Sequence, residues 1–300
     1  MANNRIEAPV ESFTVRSPDG LSIRVHRAGA GPHRWLIPPG MGTPLLCWKH
    51  VFETFHDRMT LVTWDQRGTY GSDSPRGRGG LAFERHVDDA LAILDAVGWD
   101  EPFVTGSWSM GVQIGLSLYE RMPDRIAGLA LINGAFEHVL RTAYGPPATA
   151  PLLRFALRST VAASPVLAPV ARRFFRSGLA GELMDRLHVS NNNKDFVVPV
   201  TQELSRVDLG NYFRILLELD KHSARSVLAK VRVPTLVTAG SRDVATPPAA
   251  ARELHRLIAG SDYVEIEGGT HYTPLEFPEA LNAALERFFS ERVFPRTWAR

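Results

Sequence analysis

The run Phe103-Val104-Thr105-Gly106-Ser107-Trp108-Ser109-Met110-Gly111 constrains this chain more than any other segment. Its first half is apolar and β-prone. After Ser109 the pattern turns helical, with Val112, Ile114, Gly115, Leu116, Leu118 and Tyr119 in sequence. This predicts a strand, a sharp turn and a helix, with a serine at the turn. A serine there is held in a strained backbone, where its hydroxyl can serve as a nucleophile. The residues two before and two after the tip approach closely, so both must be small; with Ser109 at the tip they are Ser107 and Gly111. A register centred on Ser107 would crowd β-branched Thr105 against Ser109, which is sterically worse. A third reading is an ordinary N-cap serine. The rest of the chain has to discriminate.

Around this turn the sequence alternates strand and helix. A hairpin is expected from residues 12–16 and 21–27 around Pro18-Asp19-Gly20. Strands follow over 34–37, 60–65, 102–107 and 126–132, with helices over 45–55, 81–97 and 110–121 between them. Such alternation predicts an α/β fold with a mostly parallel central sheet flanked by helices. From about residue 134 to 228 the strands stop and prolines punctuate short helical pieces, expected over 151–159, 167–177, 181–187 and 212–219. Alternation then resumes with a strand over 235–239, a helix over 247–258, a strand over 263–267 and a helix over 278–291. The economical reading is a core domain of residues 1–134 and 229–300, interrupted by an α-helical cap insertion of residues 135–228.

Composition narrows the chemistry. A chain of 300 residues suits one large α/β domain with an insertion, and no stretch approaches the ~20 apolar residues of a membrane span, so stable membrane insertion is not expected. The net charge of +2 gives no global reason to expect nucleic acid. The N-terminus lacks a charged-then-apolar leader profile, and Cys47 is the only cysteine, which fits a reducing cytoplasm; a mature secreted form would look the same. The ten histidines show no metal-ligand spacing, so no metal is expected. The segment Leu167–Arg176 mixes apolar and basic residues. It could touch membranes or attract acidic substrates; packing of its apolar face on the core is the favoured reading.

In parallel sheets ligands bind beyond the carboxyl ends of the strands. Ser109 follows one expected strand, Asp243 follows 235–239 in Gly240-Ser241-Arg242-Asp243, and His271 follows 263–267 in Gly268-Gly269-Thr270-His271. All three therefore fall at one end of one sheet. Their chemistry is complementary: His271 takes the serine proton and returns it to a leaving group, while Asp243 orients the imidazole. Glu137 is the fallback acid. Two amides are needed for a developing oxyanion. The expected donors are the backbone N–H of Met110 at the helix start and that of Met41 in Pro38-Pro39-Gly40-Met41-Gly42. Trp108, Tyr70 and Tyr272 adjoin these positions and are expected either in a substrate pocket or in core packing.

These motifs, with Asp65-Gln66-Arg67-Gly68 and Gly71-Ser72, resemble those of the α/β-hydrolase superfamily with a helical cap, over nearly the whole chain outside the insertion. The resemblance implies hydrolysis of a carboxylic ester, thioester, lactone or amide through an acyl-enzyme, without a cofactor. Serine at the tip argues against members that use aspartate there. Three departures stand out: Pro39 replaces a common histidine, Thr69-Tyr70 lengthens the Asp-x-Arg-Gly loop by one residue, and Ser107 replaces a glycine. Asp-Gln-Arg-Gly and Gly-Ser-Trp are partly similar to prolyl aminopeptidases. The leading expectation is a serine esterase on a small-molecule acyl substrate. An aminopeptidase would need a cap carboxylate, with Glu203, Asp208 and Glu218 available. A non-catalytic small-molecule binder is the remaining alternative.

Overall fold

β-Branched and aromatic runs whose residues are buried on both faces form the centre of the sheet in the computed structural model, which describes residues 5–142, 147–186, 190 and 194–298. The strands are β1 (Val10–Arg16), β2 (Ser22–Ala28), β3 (His33–Leu36), β4 (Met59–Trp64), β5 (Phe103–Trp108), β6 (Ile126–Ile132), β7 (Thr235–Gly240) and β8 (Asp262–Ile266). Their order is β1-β2-β4-β3-β5-β6-β7-β8. β1 and β2 pair antiparallel, as does β2 with β4; every pair from β4–β3 onward is parallel. β5 and β7 are buried at every position, whereas in edge strand β1 only Val15 is buried and the rest are half-buried or exposed. That contrast is what two covered faces at the centre and one wet edge produce.

Helices α1 (Lys49–Phe55), α2 (Phe83–Val97) and α3 (Met110–Arg121) follow β3, β4 and β5. Two cores result, one per face of the sheet. α2 and α3 contribute Val87, Ile93, Val112 and Leu116 to one. Phe52 and Phe55 of α1 lie in the other. The eight strands expected from sequence all form, with ends shifted by no more than a few residues, as is usual for frayed termini.

The insertion departs from expectation in detail. Between β6 and β7 lie α4 (Val139–Thr142), α5 (Ala150–Arg176), α6 (Leu179–Arg186), α7 (Lys194–Leu204), α8 (Leu209–Leu219) and α9 (Arg225–Leu228). The two pieces expected over 151–159 and 167–177 are one helix, α5, running through Pro165 and Pro169. Pro165 has no N–H for the carbonyl of Val161. The Ser164 hydroxyl replaces it, donating to Val161 O at 2.8 Å. α7, with Pro199 inside, has no counterpart in the expected helices. Leu187, the expected end of α6, lies outside the described residues, as do residues 1–4 of the leader comparison. The two chain segments entering and leaving the insertion pair with each other. Glu137 bridges Ser223, and Ala224 N–H donates to Phe136 O at 2.8 Å. After β7 come α10 (Pro248–Leu257), α11 (Thr273–Glu276) and α12 (Pro278–Phe288). Among the described residues no helix is long and apolar enough to cross a membrane.

One buried ion cluster ties the hairpin to the sheet. Arg67, fully buried, donates to both carboxylate oxygens of Asp89 at 2.7 and 2.6 Å, to Asp19 at 2.8 Å and to Gly80 O at 2.7 Å. Burial alone would make these charges costly, and their mutual geometry offsets that cost. Removing one partner leaves the buried Asp89 unpaired. Arg67→Ala is therefore expected to lower unfolding free energy by about 3–5 kcal/mol, read from urea midpoints; a loss below about 1 kcal/mol, as for an exposed pair, would contradict this account.

Candidate active site

β5 ends at Trp108 and α3 begins at Met110, so the chain reverses direction within one residue. Ser109 absorbs the turn with φ 59° and ψ −121°. A side chain in that region costs on the order of 1–3 kcal/mol and persists only where its surroundings fix it. Two contacts do so. Ser109 N–H donates to Ile132 O at 3.1 Å, tying the turn to the end of β6. Gly111 lies so close to the loop after β3 that a Cβ there would come within 2.3 Å of Pro38 O. The nearest neighbour of Gly111 is thus the Pro38-Pro39 backbone, a second reason beside the crowding at the tip for a small residue here. Ser107 lies within β5, its Oγ buried beside Gly115 of α3 and without a hydrogen-bond partner.

Ser109, His271 and Asp243 form one hydrogen-bonded chain. Ser109 Oγ is 2.9 Å from His271 Nε2, and His271 Nδ1 is 2.9 Å from Asp243 Oδ2. A carboxylate beside Nδ1 places the ring proton there and leaves Nε2 free to accept from the serine. Asp243 is held from several sides. Oδ1 accepts from the N–H groups of Ala245 and Thr246, each at 2.8 Å. Oδ2 lies 2.8 Å from the Thr246 hydroxyl and accepts from Asn133 Nδ2 at 3.2 Å. Burial pushes its pKa up, but His271 and these donors prevail and hold the carboxyl below its ordinary range.

Asn133 and Thr246 are site residues that the sequence reading missed. Asn133 follows β6 with φ 41°. Besides Asp243, its amide donates to Thr270 O at 2.9 Å, and its Oδ1 accepts from the Thr273 hydroxyl at 2.9 Å. One side chain therefore joins the loop carrying Asp243 to the loop carrying His271. The Glu276 carboxylate secures the second loop by accepting from Thr270 N–H at 3.0 Å and from the Thr270 hydroxyl. The available signal was an Asn just after a strand, a residue type enriched at positive φ.

The two expected oxyanion amides sit on adjoining segments. Met110 opens α3, where helix geometry leaves N–H groups without intrahelical acceptors and the helix dipole favours negative charge. Met41 lies in the turn that Thr43 N–H closes on Gly40 O. A Cβ on Gly40 would come within 3.4 Å of Ser109 Cβ. Gln66 braces both segments: its Oε1 accepts from Gly42 N–H at 3.3 Å, and its Nε2 lies 3.0 Å from Met110 Sδ. Asp65 fixes the loop after β4 that carries Gln66, its carboxylate accepting from Gly71 N–H at 2.9 Å.

A cavity of about 330 Å³ opens on Ser109. Its walls include Met41, Met110, Trp108, Leu157, Phe213 and Tyr272 among other, mostly apolar, residues of the core and insertion. Trp108 is itself nearly buried and donates its indole N–H to His271 O at 2.9 Å, so it both lines the cavity and positions the histidine loop. Of the two readings of Tyr70, the structure favours packing: it is not among the residues lining this cavity, and its hydroxyl donates to Gly42 O at 2.7 Å, bracing the Met41 turn. Glu137, the fallback acid, is taken up by Arg225 at 2.7 Å and by Ser223 at 2.8 Å where the insertion begins. Glu203, Asp208 and Glu218 do not line the cavity. They pair with Arg206, cap α8 at Asn211 N–H, and pair with Lys221. Among the described residues no group of three or more His, Cys, Asp and Glu side chains could hold a metal ion.

Residues 36–278 match the family described as alpha/beta hydrolase fold. The chain is an α/β hydrolase. Among curated relatives, this hydrolase is 29% identical over 251 residues to a pimeloyl-[acyl-carrier protein] methyl ester esterase of Neisseria meningitidis, covering 82% of this chain and 90% of the relative. It is 25% identical over 246 residues to 3-oxoadipate enol-lactonase 2 of Acinetobacter baylyi, covering 82% and 84%. Among solved structures, an esterase from Exiguobacterium antarcticum superposes with a TM-score of 0.75 at 17% identity, covering 92% of this hydrolase and 98% of that chain, a likeness of fold alone. No likeness to prolyl aminopeptidases appears among these relatives.

The depressed Asp243 pKa has a consequence for stability. Because the folded value lies below the unfolded one, near ~3.9, the carboxylate contributes stability above that pH and loses it as pH falls through the folded value. Acidification from neutral pH toward about 3 is thus expected to lower the urea midpoint of wild type more than that of Asp243→Asn. Identical acid slopes would contradict the hydrogen-bonding described for this carboxylate.

Proposed function

We propose that this α/β hydrolase is a carboxylesterase acting on small-molecule acyl substrates through a Ser109-His271-Asp243 triad. The observation that carries the reading is the hydrogen-bonded chain from Ser109 to Asp243 at the floor of an apolar cavity. In the first half-reaction Ser109 Oγ attacks the ester carbonyl while its proton passes to His271 Nε2. The carbonyl oxygen becomes an oxyanion and accepts from the Met41 and Met110 N–H groups. Collapse expels the alcohol, which takes the proton from His271 and leaves an acyl-serine. Water then attacks the acyl-serine, with His271 again accepting and returning one proton, and the acid leaves. Asp243 keeps the proton on Nδ1 and stabilises the imidazolium that each half-reaction creates. These steps draw on no cofactor.

The insertion, residues 135–228, acts in this reading as a cap over the triad. The paired segments at Glu137–Ser223 support it as a unit, and Leu157, Val200, Leu204, Tyr212 and Phe213 supply it with part of the substrate pocket. The neutral pocket wall favours an acyl group over a free ammonium, which an aminopeptidase would have to pair with a carboxylate.

A fluorophosphonate probe tests the nucleophile. Stoichiometric labelling of wild type and none of Ser109→Ala are expected; full labelling of that variant would move the nucleophile to another serine, Ser107 first. Run beside this, p-nitrophenyl esters should turn over and prolyl arylamides should not. Turnover of the arylamide alone would overturn the esterase reading.

A further inference from the structure

Beside the cavity at Ser109 is a second one of about 350 Å³, bordered by α5, α6, α7 and α8. Leu204, Tyr212, Phe213 and Tyr272 line both. The two chambers therefore share a wall, and passage between them asks for rotamer changes at those four side chains. Apart from Arg172, Ser205 and the hydroxyls of Tyr212 and Tyr272, the lining of the second chamber is apolar, with Ala168, Ala171, Phe175, Ala180 and Leu183 prominent. Phe174 and Leu183 line it yet remain 37% and 46% exposed, so it reaches the surface of the insertion.

Protein interiors are close-packed, and a largely apolar cavity of this size offers an apolar guest a place out of water. The first chamber stands near the lower bound of about 300–1,000 Å³ typical of small-ligand sites. An unbranched chain whose carbonyl lies at Ser109 fills that chamber, meets the shared wall, and has the second chamber as its next apolar space. The expectation that segment 167–176 packs its apolar face on the core is modified accordingly. Ala168, Ala171, Phe174 and Phe175 border the chamber, while Val170 faces solvent.

Resting on the esterase reading, we infer that the second chamber holds the distal part of a long, unbranched acyl chain, which makes esters of medium- to long-chain fatty acids the preferred substrate class. Each methylene moved from water into the chamber strengthens binding roughly fourfold. The test compares kcat/KM for p-nitrophenyl laurate and butyrate in wild type and in Ala171→Phe, whose added ring occupies the chamber. Wild type should favour laurate, and the laurate-to-butyrate ratio should fall at least about tenfold in the variant. A wild-type preference for butyrate, or an unchanged ratio in a variant with a normal thermal melt, overturns the inference. If Ala171→Phe does not fold, Ala168→Phe is read by the same ratio. If wild type hydrolyses neither ester, the esterase reading has failed, and the chamber is judged separately by binding of a fluorescent lauric acid analogue. Binding lost in the Phe variant upholds the chamber; equal binding in both overturns it.

Discussion

A strained serine at the junction of β5 and α3 is the constraint on which the rest of the site depends. Ser109 can hold φ 59° only because its amide is tied to β6 and because Gly111 lets the Pro38-Pro39 backbone approach. Those two contacts serve more than strain relief. The first sets Ser109 beside the loops after β6, β7 and β8, from which Asn133, Asp243 and His271 come. The second brings the Met41 turn against the start of α3. A single backbone conformation thus aligns the hydroxyl, its histidine and both amides proposed for the oxyanion.

The polar residues around this junction divide into two braces. On one side Asn133 and Thr246 lock the Asp243 and His271 loops to each other, and Glu276 secures the His271 loop through Thr270. On the other, Gln66 and Tyr70 hold the Met41 turn from the loop after β4, Gln66 reaching Met110 of the elbow as well, while Asp65 fixes that loop internally through Gly71 N–H. Nearly all of these groups are satisfied by one another, which is what permits so much polarity beneath an apolar cavity. The extra residue at Thr69-Tyr70 belongs to the second brace, where the Tyr70 hydroxyl reaches Gly42 O. Preorganisation of this kind costs stability locally and returns it at the transition state, where the donors need not reorganise.

Much of the fold was legible because strands at the sheet centre announce themselves. β5, β6 and β7 are short, apolar and β-branched, and each leads into a residue that strand-end reasoning picked out or should have. Asp243 and His271 could be found by position alone. Asn133 was missed because it acts through bonds to residues far along the chain, which no local pattern displays. The insertion was less legible for a different reason. Pro165 and Pro169 read as breaks, yet α5 continues because Ser164 satisfies the carbonyl that Pro165 abandons and because the helix packs on α8 at Gly210. The second chamber is a property of how four helices meet, and no segment encodes it by itself.

The central claim is that acyl transfer passes through Ser109. Wild-type protein quenched in acid during turnover of a p-nitrophenyl ester, digested and sequenced by mass spectrometry, tests it most directly. The account predicts an acyl adduct on Ser109 that accumulates in step with a burst of p-nitrophenol. An adduct on Ser107, or steady turnover in which no peptide of the elbow is acylated, would contradict it.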